Sequence, residues 1–68
     1  MDAKDEIAGL RAQAKHFREL AAINRKAARA AKDCKAWVEA IKAQSRVDEY
    51  VLAAQQRDRL ARELRGRI

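Results

Sequence analysis

At 68 residues and a formal charge of +6, the chain has room for one domain and little core of its own, since a chain this short hides only about 60% of the surface its unfolded state exposes. Proline is absent and there are two glycines, which favours long helices. A single cysteine, Cys34, and a single histidine, His16, exclude an internal disulfide and a Cys/His zinc set.

The chain starts with Asp2, Asp5 and Glu6, carboxylates of the kind that helix N-termini favour. A first helix is expected over 3–31, about 45 Å long at 1.5 Å per residue. Gly9 is its one weak position, at about 1 kcal/mol relative to alanine. Along it Ile7, Leu10, Ala14, Phe17, Ala21, Asn24, Ala28 and Ala31 recur at alternating steps of three and four, the rhythm of a coiled-coil seam. A second stripe, Leu20, Ile23, Ala27, Ala30 and Cys34, is offset from the first. Two stripes require two neighbours. Asn24 within the seam reads either as a register-setting polar residue or as an edge position in water.

The turn is expected at 32–35, around Asp33, because this divides the chain into arms of near-equal length. A competing start at Ser45, with Asp48 at the capping-box distance, would carry the first helix to about Ala43. The second helix is expected over 36–65. Its rhythm is Val47, Val51, Ala54, Ala61, Leu64 and Ile68, widened by Tyr50 and Leu60, with polar Asp58 in the same stripe. Spacings of four suggest ion pairs between Asp58 and Arg62, Arg59 and Glu63, and Glu63 and Arg67, each worth about 0.2 to 0.5 kcal/mol. Gly66 and the closing arginines suit a helix C-terminus.

The expected fold is therefore all-α: two long antiparallel helices forming a helical hairpin, dimerising into a four-helix arrangement. Ile7, Leu10, Phe17, Leu20, Ile23, Val47, Val51, Leu60 and Leu64 are the expected core and dimer contacts. An isolated hairpin of this size balances burial against chain entropy at close to zero, so a second copy is expected to supply the missing burial. A purely structural coiled-coil adaptor, which would form longer assemblies, is the other outcome of the same pattern.

Charge is unevenly distributed. Residues 1–24 are neutral, with four cations and four carboxylates; 25–46 hold seven cations against two carboxylates; 47–68 hold five against four. Arg25, Arg29 and Lys32 share one helical face in the basic middle, where they could track phosphates or dock an acidic protein. No recognition turn, no basic region leading into a zipper and no aromatics interleaved with cations accompany them. Trp37 and Tyr50 have the size and amphipathic character of interface anchors, with Arg46 near Tyr50, yet both rings would also serve as bulk in an alanine-rich core. His16, three residues before Glu19, is expected at the surface beside the seam. Catalytic residues, metal ligands and cofactors are not expected: the pattern offers no phosphate-binding glycine loop, and two helices provide little concavity. An acidic N-terminus followed by an amphipathic pattern predicts neither a signal peptide nor a membrane-inserted helix, hence a cytoplasmic protein.

In its size and its Ala- and Arg-rich helical arms, the whole chain resembles the dimeric helical-hairpin anti-activators of Mu-like Pseudomonas phages. That resemblance implies a phage-encoded inhibitor acting in the host cytoplasm. Its targets would be host proteins, a LuxR-type quorum-sensing regulator and a type IV pilus assembly ATPase. A chain of charge +6 would meet the basic face of a DNA-binding domain only through its neutral N-terminal arm, which includes Asp5, Glu6, His16 and Glu19. The expected partner-binding residues are Trp37, Tyr50, Arg46, Arg25, Arg29, Lys32 and His16. The alternative function is that of a small basic nucleic-acid-binding protein.

Overall fold

The computed structural model describes residues 2–67; Ile68, expected to end the second stripe, lies outside them. Two helices make up the fold: α1, Ala3–Asp33, and α2, Trp37–Gly66. They lie side by side as an antiparallel hairpin measuring 50 × 13 × 13 Å, with a radius of gyration of 15.4 Å. A globular chain of this length would have one of about 11 Å.

Both helices begin where the local chemistry allows. The Asp2 side chain accepts a hydrogen bond from the Lys4 backbone N–H, and its carbonyl accepts from Asp5 and Glu6. Ala36, at the start of α2, has no side-chain acceptor to offer, and its carbonyl accepts from the Ala40 N–H.

The turn is shorter than expected and is set differently. α1 continues to Asp33, so that residue closes the first helix instead of capping the second. The Ala36 N–H bonds back to the Ala31 carbonyl at 2.8 Å, and the Lys35 N–H to the Lys32 carbonyl at 3.0 Å. This pair of bonds is a Schellman motif, which needs a left-handed residue just past the helix end. Lys35 takes that role at φ 59°, where glycine is the usual occupant. Ala31 and Ala36, the positions where apolar residues commonly accompany the motif, are both half-buried. Ser45 lies well inside α2.

The core is a ladder of small side chains. Ala14, Ala21 and Ala28 of α1 are buried against Ala40, Ala43, Val47, Ala54 and Ala61 of α2. Ile7, Leu10, Phe17 and Ala31 complete the α1 seam, half-buried, as do Tyr50, Val51 and Leu64 on α2. Methyl groups at the contact let two helices approach to the short end of the usual range, about 8 Å between axes. Each rung contributes only about 0.8 kcal/mol per buried carbon. Asn24 is half-buried in the seam, and its side-chain amide donates to the Leu20 carbonyl of its own helix at 2.8 Å. It is satisfied within α1 and sends no bond across to α2.

Polar and aromatic contacts clasp the helices together away from the turn. The Phe17 ring is stacked with that of Tyr50 at 6.1 Å, and the Arg57 guanidinium lies over it at 5.4 Å. Arg57 also donates from Nε to Gln13 Oε1 at 3.2 Å. Asp58 pairs with Arg18 of the facing helix. It is therefore taken across the hairpin, in place of the expected pairing with Arg62. Among the described residues the other ion pair joins Glu39 to Lys42, and the pairs expected of Glu63 with Arg59 and Arg67 are not formed.

Candidate interaction surfaces

Antiparallel helices joined along a seam leave two flanks. The first is defined by the Arg18–Asp58 pair and by two grooves, one lined by Arg18, Ala21, Arg25, Val51, Ala54 and Gln55, the other by Arg11, Asp58, Ala61, Arg62 and Arg65. The second carries the Gln13–Arg57 bond and the grooves formed by Asp5, Glu6, Gly9, Leu10 and Gln13 and by Ala12, Gln13, His16, Phe17 and Arg57.

The heptad step assigns the remaining residues. On the first flank, α1 contributes Lys4, Arg11, Arg18, Arg25 and Lys32, each seven residues from the next and each exposed. Lys15 and Arg29 follow four residues after Arg11 and Arg25, on the adjoining row. Across the seam, α2 contributes Trp37, Gln44, Val51, Asp58 and Arg65, again seven apart, with Ile41, Asp48, Gln55 and Arg62 on the adjoining row. This cationic flank holds nine cations and two carboxylates, a surplus of seven on a chain whose whole charge is +6. All other positions together sum to −1.

The second flank is neutral to acidic and apolar near the turn. The row of Glu6 and Gln13 continues through Leu20, Ala27 and Cys34, and the row of Gly9 and His16 continues through Ile23 and Ala30. The second stripe expected from sequence is therefore a surface of the single hairpin. Ile23 is 64% exposed and Cys34 is exposed, while Leu20 is half-buried.

The expected partner-binding residues divide between these surfaces. Arg25, Arg29, Lys32 and Trp37 come together on the cationic flank. His16 and Arg46 belong to the opposite one, with the His16 ring 6.3 Å from that of Phe17. Tyr50 lies in the seam, half-buried against Phe17. Of the expected core and dimer residues, Val47 is buried and Leu60 is 46% exposed. Bulky apolar groups elsewhere face outward as well: Trp37 at 59%, Val38 at 64%, Ile41 at 67% and Leu52 at 58%. Val38 and Leu52 occupy the row of α2 farthest from the seam.

Sequence reasoning missed three features that the heptad step would have exposed. Counting back from Val47 by four and by seven gives Ala43 and Ala40, the buried start of α2. Counting along α1 by seven from Lys32 recovers the full row of five cations. Arg57 falls in the row of Ala43, Tyr50 and Leu64, which explains its place over the Phe17 ring.

No helix among the described residues is long and apolar enough to cross a membrane, and no group of three or more His, Cys, Asp or Glu side chains there could hold a metal ion. No family model, curated protein or solved structure matches the chain.

Proposed function

We propose that this chain is a non-enzymatic binding protein that dimerises and disables other proteins by covering them, as the phage anti-activators it resembles do. The observation that carries the reading is an inverted distribution of bulk. Among the described residues, six large apolar side chains stand 46–67% exposed on the helices, while no large side chain is fully buried.

Surface area supports association. The hairpin exposes 5348 Å², whereas a monomeric protein of its mass exposes about 4,300 Å². The excess of about 1,000 Å² compares with the roughly 800 Å² per partner that a standard interface covers. In the proposed dimer the strip of Leu20, Ile23, Ala27 and Ala30 meets its counterpart, because small side chains there admit a close approach. Trp37, Val38 and Ile41 stay outside that strip as anchors for a host protein.

Charge placement removes one obstacle to a basic target. Asp5, Glu6 and His16 line the flank opposite the cation row, so a DNA-binding domain can be approached from that side without meeting those cations, whereas Trp37 and Ile41, on the cationic flank, are anchors for a less basic target. Titration calorimetry with a purified LuxR-type regulator and a type IV pilus assembly ATPase tests the reading. Stoichiometric binding that fails for Trp37→Ala is expected. Absence of binding to both, or a cooperatively melting monomer at micromolar concentration in sedimentation equilibrium, would overturn it.

A further inference from the structure

We infer that the cationic flank is a docking face for the sugar-phosphate backbone of a nucleic-acid duplex, a second surface beyond the protein-binding role. Folding does not ask for this concentration of charge. Arg11 with Lys15 and Arg25 with Arg29 are like-charge pairs at i,i+4, an arrangement that destabilises a helix. The chain has ten carboxylates that could have neutralised the row. Two of them lie on this flank, and among the described residues Arg18 is the one cation of the row within pairing distance of either.

The geometry suits a regular polyanion. From Lys4 to Lys32 the row runs about 42 Å along one rigid helix, in steps of about 10.5 Å. Duplex DNA presents one charge per about 1.7 Å of axis, so the row overlies about 25 phosphates. Long flexible side chains at that spacing find an oxygen whatever the base sequence. A single strand is a poorer fit, because Trp37 is the only aromatic on the flank and stacking needs a series of rings. An acidic protein would need apolar anchors distributed among the cations, and those of this flank, Trp37 and Ile41, stand on α2 at the turn end, far from Lys4, Arg11 and Arg18. A membrane surface would engage bulky apolar groups along the whole row of cations, yet Trp37 and Ile41 stand only at its turn end, and Val38 and Leu52 occupy the row of α2 farthest from the seam.

The test is fluorescence anisotropy with labelled duplex DNA and duplex RNA of about 30 base pairs, titrated between 50 and 200 mM salt. Five phosphate contacts give a slope of log K against log salt near −4.5. The triple variant Arg11→Gln, Arg25→Gln, Lys32→Gln should reduce the magnitude of that slope by about 2.7. A control triple, Lys26→Gln, Lys42→Gln, Arg59→Gln, removes the same charge from other faces and should leave the slope within about one unit. Circular dichroism verifies that both variants remain helical. This pattern with either duplex upholds the proposal. Equal losses from the two triples, a wild-type slope shallower than about −2, or binding to phosphatidylserine vesicles without binding to either duplex would overturn it.

Discussion

The two halves of the hairpin are built by different rules. In the half that holds the chain ends, the helices are joined by particular groups: Phe17 on Tyr50, Arg57 over Phe17 and bonded to Gln13, Arg18 paired with Asp58. In the half beside the turn the buried side chains are Ala21, Ala28, Ala40, Ala43 and Val47, and the bulk (Ile23, Trp37, Val38, Ile41) is outside. Small buried side chains run through both halves, and specific contacts are added in one. A hairpin this thin cannot enclose large side chains, so it uses small ones to bring the helices close and leaves large ones for a neighbour.

Substitutions that exchange the two rules test this contrast. The largest effect is expected from Phe17→Ala, which removes the ring shared by Tyr50 and Arg57. Full burial would make this change cost 3–5 kcal/mol; at half burial about 2 to 3 kcal/mol is expected, read as a lowered denaturation midpoint by circular dichroism. Next comes Ala28→Leu, which forces the helices apart in the turn half at about 1–3 kcal/mol. Ile41→Ala in the same half should leave the melting of the assembled protein unchanged within about 0.5 kcal/mol. Equal destabilisation by the two would mean that Ile41 is packed within the chain. The smallest effect is a gain. Lys35→Gly relieves a left-handed residue and should stabilise by about 0.5 to 1 kcal/mol after the added freedom of the unfolded chain is counted. A loss in denaturant titration would show that Lys35 makes compensating contacts.

The same contrast explains what could be read from sequence. The α1 seam was legible throughout because eight positions keep the rhythm from Ile7 to Ala31 and the bulky ones fall at its start. In α2 the seam was legible only from Val47. Before it, Trp37, Val38 and Ile41 outrank Ala40 and Ala43 in hydrophobicity, so apolarity points to the wrong face while spacing points to the right one. The turn was placed close to where it lies, but its geometry escaped for another reason: the defining residue is a lysine, and nothing in composition marks Lys35 as left-handed. Arg25, Arg29 and Lys32 were visible as a local stripe. The continuation of Arg25 and Lys32 through Arg18, Arg11 and Lys4 comes at steps of seven along α1, a period that local spacings of three and four do not reveal.

The alanine rungs at 14, 21 and 28 face rungs at 40, 47, 54 and 61, each seven residues from the next. Such a scale looks much the same after sliding by one division, so the rungs by themselves barely distinguish one alignment of the arms from the next. What marks the zero is the aromatic clasp midway along the arms and the tight reversal at one end. Severed between Cys34 and Trp37, the two pieces would still adhere, but the choice of alignment would fall to the Phe17–Tyr50–Arg57 cluster with Gln13 and to the Arg18–Asp58 pair.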